Sequence, residues 1–68
     1  MGWAKGTSVA ERMIHAITTN VQSKTTKRRL YAELIEALID LDWDCTEEAK
    51  GIDPVFDEVL AEWEEQNA

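Results

Sequence analysis

Residues 27–41, KRRLYAELIEALIDL, decide the fold. Leu30, Leu34, Leu38 and Leu41 recur at helical spacing, with Tyr31, Ile35, Ala37 and Ile39 beside them. A half-buried strand would alternate apolar and polar residues. Steps of three and four instead predict an α-helix with a broad apolar face. Such breadth puts this helix at the centre of the fold, in contact with elements on both sides. Lys27, Arg28 and Arg29 open it, and Asp40 with Asp42 closes it. Both ends run against the helix macrodipole, which favours acids at the start and bases at the end. Local violations of this kind mark either tertiary compensation or function.

Upstream, Ser8 and Glu11 have capping-box spacing and predict a helix over about 8–22. Val9, Met13, Ile17 and Val21 recur every fourth residue there, and Ile14 widens the stripe. The opening MGWAKGT, residues 1–7, is expected to be an irregular lead whose Trp3 either folds onto the core or stays exposed. QSKTT at 22–26 reads as a turn in which Thr25 or Thr26 caps the central helix, itself placed at about 27–41.

Downstream, Thr46, Glu47 and Glu48 predict one helical turn that ends at Gly51. Asp53-Pro54 pairs a capping side chain with proline at the first helical position, so a third helix is expected over about 54–66. Val55, Phe56, Val59, Leu60 and Trp63 make its apolar face, and Asp57, Glu58, Glu62, Glu64 and Glu65 its solvent face, with Gln66 to Ala68 fraying. No segment has strand patterning. The expected fold is all-α: residues 1–68 form a single helical domain, a small three-helix bundle with an acidic turn between helices two and three. The stripes and Trp43 are its core candidates.

At 68 residues the chain supports one domain with a modest core. Its single cysteine excludes an internal disulfide framework and fits a reducing compartment. No signal-peptide pattern opens it, and no apolar run approaches the roughly 20 residues of a membrane span, so a cytoplasmic location away from membranes is expected.

Fourteen acids against seven bases give a net charge of −7, unevenly placed. Residues 1–34 carry six bases and two acids, whereas residues 35–68 carry twelve acids and Lys50 alone. Two readings follow: the basic end of one helix meets acids of another inside the fold, or the acidic half faces a basic partner.

The motifs for chemistry are sparse. Asp40, Asp42 and Asp44 open like a calcium loop, but Cys45 stands where that loop needs glycine and Gly51 where it needs a bidentate glutamate. No metal site or cofactor is expected. His15 and Cys45 are each the only residue of their kind and supply no catalytic constellation, so the chain reads as non-enzymatic. Lys24, Lys27, Arg28 and Arg29 form the one basic cluster, at a turn entering a helix, where backbone N–H groups favour phosphate. They are the candidate nucleic-acid contacts of an alternative reading, although the remainder of the acidic chain repels nucleic acid. Asp42, Trp43, Asp44, Glu47 and Glu48 are the candidate partner-binding residues: a tryptophan ringed by acids makes a natural interface anchor. On that reading Trp43→Ala weakens binding without unfolding the bundle.

MGWA at the start, RRLYAELIEALIDLDWD at 28–44 and EEAKGIDPVFDEVL at 47–60 resemble small uncharacterised proteins of tailed phages and prophages. The shared pattern falls on Asp42, Trp43, Asp44, Glu48, Gly51, Asp53, Pro54, Phe56 and Asp57, and Cys45 departs from the threonine expected there. The resemblance implies a phage or prophage accessory protein and supplies no reaction or site. The pattern also has a structural account, with Asp53 capping, Pro54 starting a helix, Gly51 allowing a turn and Phe56 filling the core. The leading expectation is a non-enzymatic accessory protein that binds a host protein through its acidic, Trp-bearing face, as an inhibitor or nucleic-acid mimic. The alternatives are the nucleic-acid-associated protein using residues 24–29 and a self-associating homo-oligomer that pairs the basic turn of one chain with the acidic loop of another.

Overall fold

The computed structural model describes residues 5–67, and the expectations about Trp3, the first four positions of the lead and Ala68 lie outside the described residues. Three α-helices, α1 (Lys5–Asn20), α2 (Lys24–Asp40) and α3 (Pro54–Gln66), surround one core, with a 3-10 turn at Thr46–Ala49. The chain is an all-α three-helix bundle with no strand among the described residues.

Asp53 and Pro54 start α3 as their chemistry dictates: Asp53 has extended backbone angles, and its Oδ1 accepts from the Val55 N–H at 3.0 Å. The other two starts differ from expectation. Ser8 lies inside α1, which is already helical at Lys5, so the proposed capping box is ordinary helix surface. The cap of α2 is Ser23, whose hydroxyl accepts from the Thr26 N–H, and the helix therefore begins three residues earlier than Lys27. Serine, the stronger cap, wins over Thr25 and Thr26.

The core also sits on a different face of α1. Gly6, Ala10, Ile14 and Ile17 are buried, while Val9 and Met13 are exposed. A strict fourth-residue series turns about 40° round the helix at every step, so Val9 and Val21 cannot share a face. Mixed steps of four and three hold one direction, and they select the small residues Gly6 and Ala10. In α2 the same geometry buries Tyr31, Ile35 and Leu38 and leaves Leu30, Ala37 and Leu41 exposed. Phe56, Val59 and Leu60 complete the core from α3, with the Phe56 ring edge-on to Tyr31 at 5.3 Å between centroids.

The link between α2 and α3 is a crossover rather than a turn. Tyr31 meets Asp53 and Phe56, Arg28 meets Glu58 and Glu62, and Asp40 lines a groove with Trp63 and Asn67. Lys27 and Tyr31 near the start of α2 meet the start of α3, and Asp40 at the end of α2 lies by the end of α3, so the two helices run in the same direction, with the long Arg28 side chain reaching forward along α3. Residues 41–53 must therefore return along the bundle, and they do so between α1 and α3. Thr7 holds Trp43 and Glu48, Thr46 and Lys50 reach Glu64, and Thr18 reaches Asp53.

A Schellman motif launches the crossover. The Trp43 N–H donates to the Leu38 carbonyl at 3.0 Å and the Asp42 N–H to that of Ile39 at 2.9 Å. Asp42 takes the left-handed position at φ 68°, and the Trp43 ring packs into the core beside Leu38. The 3-10 turn ends at Ala49, and Gly51, φ 95°, turns the chain just beyond its Lys50 cap, at the glycine expected to stop it.

Candidate functional site

The basic cluster of residues 24–29 is consumed by α3. Lys27 Nζ lies 2.8 Å from Asp53 Oδ2, Arg28 binds Glu58 at 3.3 Å and Glu62 more closely, and Lys24 lies 3.7 Å from Glu58. Mutual hydrogen bonding raises the pKa of Arg28 and lowers that of Glu62. These acids supply the charge that the first turn of α2 lacks locally. The internal reading of the charge asymmetry thus holds at this end of the bundle. Of the four cations proposed to contact nucleic acid, Arg29 alone has no acidic partner among the described residues.

Around Lys27 the structure assembles a polar cluster that spans all three helices. Asp53 Oδ2 accepts from Tyr31 at 2.7 Å, from Thr18 at 3.1 Å and from Lys27. The Thr18 and Tyr31 hydroxyls also lie 3.2 Å apart. Asp53 is 4% exposed. Burial pushes its pKa up, but hydrogen bonds from Lys27, Tyr31, the Val55 N–H and Thr18 outweigh this and hold it far below the usual carboxylate range. Tyr31 is pushed up to about 12, first by burial and then by its carboxylate neighbour, against the opposing hydrogen bond with Thr18. No buried side-chain N or O among the described residues lacks a partner. A fully satisfied cluster of this kind ties helices together.

Sequence reading identified Asp53 only as a cap and Tyr31 only as an apolar-stripe residue. An isolated Tyr on a core stripe, opposite a capping Asp in another element, was the available signal, but their meeting depends on the parallel placement of α2 and α3.

The candidate partner-binding residues divide. Asp42, Asp44, Glu47 and Glu48 are exposed. Trp43 is 2% exposed, with its indole N–H donating to Thr7 Oγ1 at 3.0 Å. Its ring plugs the end of the core and is not an interface anchor, and the expectation that Trp43→Ala would spare the fold is reversed. Acids on both sides suggested a polar rim; the Schellman motif explains them instead, since it sends the residue after a left-handed position back onto the helix.

The exposed acids gather at one pole. Because α2 and α3 are parallel, their C-terminal ends, each carrying partial negative charge, lie at the same end of the molecule. Asp40, Asp42, Asp44 and Glu47 stand there or on the adjoining crossover without a cation partner among the described residues, and Glu48 accepts from the neutral Thr7. No three His, Cys, Asp or Glu side chains among the described residues converge to hold a metal ion. Cys45 is half-buried, and its thiol donates to Asp44 Oδ1 at 3.4 Å. That hydrogen bond, with burial and nearby acids, raises its pKa, the opposite of what a nucleophile needs. His15 is exposed on α1. No described helix is long and apolar enough to cross a membrane.

No family model, curated protein or solved structure matches this chain.

Proposed function

We propose that this protein is a non-enzymatic binding module whose acidic pole docks on a basic surface of a protein partner. One observation carries the reading: Lys24, Lys27 and Arg28 at one end of the bundle are paired internally, while Asp40, Asp42, Asp44 and Glu47 at the other end are left without cations among the described residues. Two helix C-termini add negative charge at that end, and the helix N-terminus beside them, that of α1 at Thr7, offsets only part of it. That end favours a cationic surface, drawn in by long-range attraction and released by salt. With the phage resemblance, the protein is an accessory factor acting in the host cytoplasm, and its partner is a host protein. A partner whose basic groove ordinarily holds nucleic acid would make the module an inhibitor by mimicry, through the same counterion release that drives DNA binding.

The test compares tagged wild-type protein with the variant Asp42→Asn, Asp44→Asn, Glu47→Gln, Glu48→Gln in capture from host lysate. A partner held by wild type, shed in moderate salt and lost with the variant is the expected result. Equal retention by both proteins, or none above the tag control, would overturn the reading.

A further inference from the structure

The C-terminal halves of α2 and α3 line a groove of about 440 Å³. Ala32, Val59 and Trp63 line it as apolar surface, and Glu36, Asp40 and Glu62 stand along it and its adjoining extension. Every ionisable side chain lining the two is a carboxylate. Glu62 is engaged by Arg28, but Glu36 and Asp40 have no cation partner among the described residues.

Trp63 distinguishes this groove from a merely acidic surface. It packs partly against the core and keeps part of its ring on the groove, unlike Trp43, which is sealed. An indole face attracts a cation, and flanking carboxylates accept the N–H groups of the same cation. Arginine satisfies both demands at once, because its planar guanidinium stacks on an aromatic ring while its edge donates to carboxylates. A lysine ammonium meets the charge without the stacking geometry. The groove is open, so it suits one side chain projecting from a partner's surface rather than an enclosed small molecule.

We infer that this groove is the specific element of the docking pole: it receives an arginine side chain from a basic segment of the partner, stacked on Trp63 and held by Glu36 and Asp40. The inference rests on the acidic-pole reading and adds to it the residue class recognised and the place where it binds.

The test is a ¹⁵N NMR titration of the full chain with a capped hexapeptide of alternating glycine and arginine. The three indole N–H signals are assigned by substituting Trp63→Phe and, separately, Trp3→Phe. The expected result is a saturable shift of the Trp63 indole and of the amides around Glu36 and Asp40, with the Trp43 indole unmoved and a lysine counterpart binding more weakly. Trp63→Ala should weaken binding about tenfold. Because that variant also loses packing, Glu36→Gln with Asp40→Asn provides a second one that keeps the fold and must weaken binding too.

Shifts confined to residues 42–48, with the groove silent, would overturn the inference and leave the acidic-pole reading standing. Absence of shifts anywhere would overturn both. Concentration-dependent movement of the Trp63 indole without peptide would assign the groove to a second copy of the chain and overturn the arginine inference.

Discussion

Lys27 of α2 and Asp53 at the start of α3 form an ion pair at 2.8 Å, with side chains only 14% and 5% exposed. The residues are distant in sequence, and their meeting brings the starts of the two helices together, as the parallel arrangement requires. Tyr31 and Thr18 saturate the same carboxylate oxygen and bring α1 into the same knot.

Replacing Asp53 by alanine should remove the helix cap and strand Lys27 without its counter-charge. Breaking a buried pair costs about 3–5 kcal/mol, a large share of the stability of so small a domain. Urea unfolding should show Asp53→Ala largely unfolded. Asp53→Asn keeps a good capping side chain and should lose less.

The depressed pKa of Asp53 also sets a pH dependence. In the unfolded chain an aspartate titrates near pH 3.9, approximately its free value. The stability contributed by the lowered folded pKa is therefore present above about pH 4 and is lost as pH falls through the folded value. Unfolding free energies of wild type and Asp53→Asn should differ at neutral pH and converge in strong acid. A constant gap would show that the carboxylate charge does not matter.

Tyr31 is the only tyrosine, so its ionisation can be read directly by ultraviolet absorbance. Burial pushes its folded pKa up to about 12, above the ordinary tyrosine value of about 10. The stability this shift contributes is present below pH 10 and fades as pH rises towards 12. Phenolate should appear only well above pH 10, or together with loss of helical circular dichroism. Titration near 10 in the folded protein would contradict the buried hydrogen bond to Asp53.

Asp42 occupies a left-handed backbone position that suits glycine, at a helix end where negative charge is unfavourable. Asp42→Gly should raise stability by about 0.5–1 kcal/mol, seen as a higher Tm. The same substitution removes a charge from the docking pole, so greater stability with weaker partner capture would separate the two roles of this residue.

Trp43→Ala should destabilise the bundle by about 3–5 kcal/mol, because the ring is buried and holds the crossover against α1 and α2. Loss of cooperative thermal unfolding is the expected observation. A well-folded variant would place Trp43 outside the core.

Local chemistry made much of the fold legible. The Asp53-Pro54 start of α3, the helical turn after Thr46 and its end just before Gly51 follow from backbone preferences of individual residues. The central helix follows from apolar periodicity, which fixes an element's type more firmly than its facing. Hence the existence of α1 was plain, while its buried side, through Gly6 and Ala10 rather than Val9 and Met13, was not. Small residues carry little apolar signal, yet they are what allow two helices to approach closely.

By itself the sequence determined three helices, an acidic second half and an all-α chain with no apolar run long enough to cross a membrane. Only the tertiary structure decided that α2 and α3 run parallel, and from this came the rest: Lys27 on Asp53, Arg28 on Glu62, Trp43 sealed in the core and Trp63 left on a carboxylate-lined groove. The physical reason is range. Capping, turn conformation and periodicity act over a few neighbouring residues, whereas helix direction depends on how a thirteen-residue crossover packs against elements far from it in sequence.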